Sequence, residues 1–150
     1  MPVVVSTPPA GSSCDRFRRQ HEELKNLGIE IASKLSRKTI VEEAANVRRL
    51  VAKFAGKLTV HASMENEALY PRLFDHPDPA VRARAKELFD EVGGLYATFH
   101  DYAARWPTVA AIEANGPDFV KETREILFRL AIRMTRENDE LYPLVDACGG

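Results

Sequence analysis

Four long stretches of the chain place apolar residues at alternating intervals of four and three, the spacing of a helix with one buried face. The first runs from about Cys14 to Ser36 through Phe17, Leu24, Ile31 and Leu35, with Asp15 as a cap candidate near its start. The second, from about Thr39 to Arg72, carries Val47, Val51, Phe54 and Leu58. The third opens at Asp78-Pro79, a cap followed by proline at the first helical position, and carries Ala85, Leu88, Val92, Leu95, Phe99 and Tyr102. The fourth follows Asn115-Gly116-Pro117 with Leu127, Leu130, Met134, Leu141 and Leu144. A further short helical turn fits around residues 109–114, and Gly93-Gly94 is a point where the third helix can kink. This pattern predicts an all-α, antiparallel up-down-up-down four-helix bundle over residues 14–147, preceded by a flexible tail, 1–13.

Charge and composition narrow the function classes by exclusion. The 150 residues suffice for one domain, and 22 acidic against 21 basic side chains leave a formal charge of −1. Such a balance offers no footprint for nucleic acid and no basic patch for a membrane. No apolar run approaches the roughly 20 residues that span a bilayer. The N-terminus has Val3-Val4-Val5 without a preceding basic residue, so it does not read as a signal peptide. Cys14 and Cys148 are too few for a disulfide framework and form no C-x-x-C motif. They fall at one pole of the expected bundle, where a reversible bridge is conceivable, but free thiols in a reducing cytoplasm are the expectation. With no glycine-rich phosphate loop and no nucleophile–base arrangement, hydrolytic or transferase chemistry lacks support.

Polar residues interrupt the apolar stripes at His21, His61, Glu65 and Glu137. Carboxylates are almost never fully buried unless paired or bound to metal, because desolvating the charge is costly. His61 and Glu65 are four apart and project from one side of one helix, as a two-ligand clamp requires. The chain also repeats itself, as Glu65-Asn66-Glu67-Ala68-Leu69-Tyr70-Pro71 and Glu137-Asn138-Asp139-Glu140-Leu141-Tyr142-Pro143. Both copies end an even-numbered helix, so in an up-down-up-down bundle Glu65 and Glu137 face each other at one pole. Two carboxylates that close repel unless a cation or a shared proton lies between them. Each Leu-Tyr-Pro also has a structural reading, since proline stops or kinks a helix and tyrosine can cap the bundle floor.

A histidine in the first helix, His-x-x-x-Glu leading to Leu-Tyr-Pro in the second, and Glu leading to Leu-Tyr-Pro in the fourth resemble the hemerythrin family. The resemblance covers nearly the whole chain after residue 13. It implies a bundle around a non-haem, usually di-iron, centre, with His21, His61, Glu65 and Glu137 as ligands. It further implies binding or sensing of oxygen, nitric oxide or redox state, with a diatomic gas or peroxide as ligand and peroxidatic or oxidase chemistry left open. Two departures bear on the metal. Where the family has His-x-x-x-Glu on the fourth helix, this chain has Arg133-x-x-x-Glu137. A guanidinium cannot ligate a cation, and it could pair with Glu137 and take one metal's place.

The second departure is on the third helix, where the family's histidine has only His100 as a counterpart. Folding the second and third helices about Asp78 sets Glu65 opposite Glu91, and His100 lies about 13 Å further along. Glu91 is therefore the expected third-helix ligand, with His100 the alternative if the glycine pair resets the register. Tyr96, Phe99, Tyr102 and Trp106 read as core. The expected site is thus His21, His61, Glu65, Glu91 and Glu137, for iron in a mono- or dinuclear centre, with manganese or zinc also compatible. The other reading is a metal-free or metal-poor bundle acting on a protein partner as a regulatory module, with Glu137 ion-paired to Arg133 or Arg136.

Overall fold

The computed structural model describes residues 9–36 and 40–148. Its long helical runs are α1 (Pro9–Ser33), α2 (Ile40–Met64) with α3 (Tyr70–Phe74), α4 (Pro79–Arg105), and α6 (Gly116–Arg136) with α7 (Tyr142–Ala147). A short α5 (Val109–Ala114) occupies the long link, where the sequence predicts it. α1 packs on α2, α2 on α4, α4 on α6, and α1 closes the ring on α6 and α7. This is the expected all-α four-helix bundle. Among the described residues there is no strand.

Three details differ from expectation. α1 opens at Pro9, whereas the periodicity begins it near Cys14 and leaves residues 1–13 as a tail. Pro-Ala-Gly-Ser-Ser has no apolar spacing to betray a helix, although proline suits a first helical position. Residues 1–8 of the expected tail lie outside the described residues. α4 runs unbroken through Gly93-Gly94, so no kink resets its register. Its start is as expected, with Asp78 Oδ1 accepting from Ala80 N at 2.9 Å.

The third difference concerns the two Leu-Tyr-Pro segments. Neither stops its helix, because each is preceded by one wide π-helical turn, Glu65–Leu69 and Glu137–Leu141. Tyr70 N–H donates to Glu65 O, and Tyr142 N–H donates to Glu137 O, each five residues back. Pro71 and Pro143 lack an N–H, and in an α-helix their rings clash with the carbonyl four residues before. A turn with one additional residue opens the ladder just ahead of the ring and lets the helix continue.

The interior is apolar at both ends and polar between. The body of the bundle buries Leu24, Ile31, Val47, Phe54, Phe99 and Phe119 in one cluster. A second cluster at the pole holds Cys14, Phe17, Leu69, Tyr70, Leu88 and Tyr142, with Cys148 packed against it and both thiols free. His21, His61, Glu65 and Glu137 lie between the two, at 3, 1, 0 and 2% exposure. Four ionisable groups so sealed from water must neutralise one another or hold a cation.

Gly28 sits in mid-helix where α1 meets α2 and α6. A Cβ there would stand 3.7 Å from Leu127 Cδ2 and 3.9 Å from Phe54 Cε2, ordinary contact distances. Gly28→Ala should therefore stabilise the protein by about 0.5–1 kcal/mol through helix propensity, read as a raised urea midpoint at unchanged slope.

Candidate metal centre

Each side chain of the polar layer hangs from a different part of the fold. His21 comes from α1 and His61 from the last turn of α2, while Glu65 and Glu137 are the first residues of the two wide turns. One ligand atom from each of the four lies within 4.8 Å of all the others. His21 Nε2 is 3.0 Å from His61 Nε2 and 2.9 Å from Glu137 Oε1. His61 Nε2 is 3.2 Å from Glu65 Oε2 and 3.7 Å from Glu137 Oε1.

The surrounding residues aim these atoms. His21 Nδ1 donates to Asn138 Oδ1 at 2.9 Å, and His61 Nδ1 donates to Gln20 Oε1 at 2.7 Å. Gln20 is itself turned by its Nε2, which reaches Met64 Sδ at 3.3 Å. With each Nδ1 carrying a proton, both Nε2 atoms are left to face the interior of the cluster, as metal-binding imidazoles do. Glu65 is held from both sides, since Tyr142 donates to its Oε2 at 2.7 Å and Tyr96 to its Oε1 at 3.2 Å.

Burial and neighbouring charge set the protonation states when no cation is present. Burial opposes a charge on His61, but the Glu137 and Glu65 carboxylates outweigh it and push the imidazole up to about 9. Burial likewise opposes ionisation of Glu137, and His21 and His61 overcome it, holding the carboxyl down at about 2. Glu65 goes the other way: burial, with Glu137 beside it, raises its carboxyl above the ordinary range. The cluster by itself is thus one ionised carboxylate stabilised by an imidazolium, with the second carboxyl biased toward its proton.

Of the expected third-helix ligands, neither joins the cluster. Glu91 is half-buried on the flank of α4 facing α6, where Arg133 Nη1 meets its Oε2 at 3.1 Å and Arg136 also pairs with it. His100 is exposed, further along α4 on the outside of the bundle. The α4 residue at the level of Glu65 is Tyr96, grouped with the core in the sequence reading. A fold-back about Asp78 aligns Cα positions only, whereas helical side chains lean toward their own N-terminus. Glu65 leans away from the turn and Tyr96 leans toward it, so they meet although Tyr96 is five residues, about 7.5 Å of rise, beyond Glu91. Those five residues also turn the helix by about 140°, which leaves Glu91 on another face.

Arg133 does not replace a metal either, because its guanidinium is engaged by Glu91. Arg136 pairs with Glu91 and Glu140, so the expected alternative of an arginine on Glu137 is also not what the fold builds. Glu137 Oε2 is instead buried with no hydrogen-bond partner. Sequence reasoning missed Tyr96, Tyr142, Asn138 and Gln20 as parts of the site. For two of them a signal existed, since Asn138 and Tyr142 stand at fixed places in the repeated segment.

Residues 13–145 match the family model of the hemerythrin HHE cation-binding domain. The chain belongs to the hemerythrin HHE family. No curated protein and no solved structure matches it. A hemerythrin-type domain implies a metal cofactor, usually iron, and the residues present fit one. Two imidazole nitrogens, which ligation would leave unprotonated, and two carboxylates converge in a dry interior, and a carboxylate oxygen left bare there has a reason to exist if a cation lies beside it. The donor set of nitrogen and oxygen suits iron, and manganese and zinc as well. Among the described residues no helix is long and apolar enough to cross a membrane.

Proposed function

We propose that this hemerythrin-type domain binds a single non-haem ion, iron first, through His21, His61, Glu65 and Glu137, and uses it to bind or sense oxygen, nitric oxide or redox state. The observation that carries the reading is the convergence of four buried donors, one of which, Glu137, also keeps a buried oxygen, Oε2, without a hydrogen-bond partner. One ion rather than two follows from the donor count. Glu91 and His100 stand elsewhere, and Arg133 occupies the place of a fourth-helix histidine, so a second ion would lack ligands.

The protein's own residues prepare the site in advance. Asn138 and Gln20 fix both imidazoles with Nε2 inward, and Tyr96 and Tyr142 hold Glu65, so ligand rotamers need little reordering on loading. The apolar clusters above and below exclude water and strengthen the attraction between a cation and the carboxylates. When bound, the ion supplies Lewis acidity and one-electron redox chemistry toward a diatomic gas or peroxide. A cavity of about 380 Å³ between α2 and α4, lined by Tyr70, Phe89, Tyr96, Phe99 and His100, lies on the Tyr96 side of the cluster and is where a small molecule would approach it. Tyr96 forms its inner wall and also touches Glu65.

Elemental analysis of protein from iron-replete cells, and of metal-free protein reloaded with ferrous iron without air, checks the reading. The expected result is one ion per chain and a visible or near-ultraviolet spectrum that changes on admitting air. Protein that takes up no metal under either condition would instead be the metal-free regulatory module.

A further inference from the structure

A fifth oxygen stands among the four donors. Tyr142 Oη lies 2.7 Å from Glu65 Oε2, 3.1 Å from His21 Nε2 and 3.5 Å from His61 Nε2. The two separations from the histidines fall within the spacing of 2.9 to 3.7 Å among the histidine and glutamate atoms themselves, and the shortest is the hydrogen bond that Tyr142 donates to Glu65. Nitrogen and oxygen donors bound to one ion at about 2.0–2.2 Å are about 2.8–3.6 Å apart when neighbouring bonds open by 90–110°. The phenol oxygen therefore stands level with the ligands and not behind one of them. Neither other tyrosine of the layer does so. Tyr96 reaches Glu65 Oε1, and the Tyr70 hydroxyl is buried without a hydrogen-bond partner.

The wide turn sets Tyr142 on the inner side of its helix, and packing beside α1 and α2 then places its hydroxyl among the donors, which the same turn before Tyr70 does not do. In α geometry residues five apart point about 140° from each other. In a turn closed by a five-residue hydrogen bond they come round to nearly the same side, so Glu137 and Tyr142 both face inward.

We propose that Tyr142 is a fifth ligand, bound as its phenolate, and that its charge makes the site favour a trivalent ion; the proposal rests on the metal-site reading above. Two carboxylates balance a divalent ion. A phenolate adds the third negative charge that balances ferric iron in an interior where net charge is costly. On loading, the Tyr142 O–H bond breaks, an Oη–iron bond forms, and the proton that now lies toward Glu65 Oε2 leaves for solvent, with no electron transferred.

Phenolate on ferric iron gives an intense charge-transfer band in the visible, with resonance-enhanced ring vibrations, which imidazole and carboxylate ligands do not. The full chain loaded with ferric iron should show both, and Tyr102→Phe, remote from the site, should keep them. Tyr142→Phe should still take up iron but be colourless, release one proton fewer on loading, and bind ferric iron at least about tenfold more weakly, given that even residues behind the ligands are worth 10- to 100-fold. A band that survives in Tyr142→Phe, or ferric wild-type protein holding one ion per chain without phenolate vibrations, would overturn the proposal. Wild-type protein that takes up no iron would overturn the metal-site reading itself, so the two failures are distinct. Should Tyr142→Phe not fold, the wild-type ring vibrations still decide.

Discussion

Glu137→Gln should remove stoichiometric metal binding and, in the metal-free protein, lower stability by about 3 kcal/mol or more. Glu137 Oε1 is the acceptor nearest to His21 Nε2 and one of two carboxylates beside His61. It is also the group whose burial its two histidines compensate. Breaking a buried charge pair by removing one partner typically costs about 3–5 kcal/mol, because the other charge is left in a dry interior without compensation. The amide keeps the volume, so the loss is electrostatic and not a cavity effect. Glu91→Gln is the matched comparison. Glu91 is half-buried and its partners Arg133 and Arg136 can turn to water, so its loss should cost less than about 1 kcal/mol and leave metal content unchanged. Urea unfolding and metal stoichiometry of both variants check this. Equal effects at the two positions would mean that the cluster is not where the cation sits.

The metal-free protein should lose stability as pH rises from 6.5 to 9. His61 titrates near 9 in the fold against 6.5 in an unfolded chain, so the fold binds its proton more tightly. The resulting stabilisation is complete below 6.5 and disappears as pH passes 9, an amount of about 3 kcal/mol. Glu65, with its carboxyl raised by burial and by Glu137, adds to the same trend, since ionising it costs more in the fold than outside it. Glu137 behaves oppositely. Its carboxyl is held at about 2, so its contribution is present above 4.5 and is lost as pH falls from there toward 2. Metal reverses the alkaline limb, because ligation needs neutral imidazole and ionised carboxyl groups and binding releases protons. The stabilisation by added metal should therefore grow through the window in which the metal-free protein weakens. Urea melts at intervals from pH 5 to 9, with and without ferrous iron in the absence of air, test both slopes. A flat metal-free profile would show that His61 does not hold an extra proton.

Most of the bundle could be read from local pattern. Leu24, Ile31, Phe54, Phe99 and Leu130 are buried as their spacing requires, because a helix has one periodicity and one face to hide. His21, His61, Glu65 and Glu137 were equally legible, since polar residues on a buried face stand out against that same pattern. Glu91 and His100 are the two expected ligands that the fold leaves outside the cluster. Deciding between them needed distances between two helices, and the fold-back about Asp78 supplied Cα levels without the lean and length of side chains. Tyr96, long enough to reach across, joined the layer in their stead.

The Leu-Tyr-Pro repeat marks the boundary between the two kinds of information. Its prolines can be seen in the chain, and they forbid an undisturbed α-helix at both places. Whether a helix answers by stopping, kinking or widening depends on what packs against it, and here the continuing runs, α3 and α7, pack into the apolar pole of the bundle. Local composition thus established four amphipathic helices with ionisable residues on their inner faces. The orientation of Tyr142 toward those residues, and the pairing of Glu91 with arginines in place of a cation, arose only when separate helices met, because hydrogen bonds and charge compensation act through space and over a few ångströms.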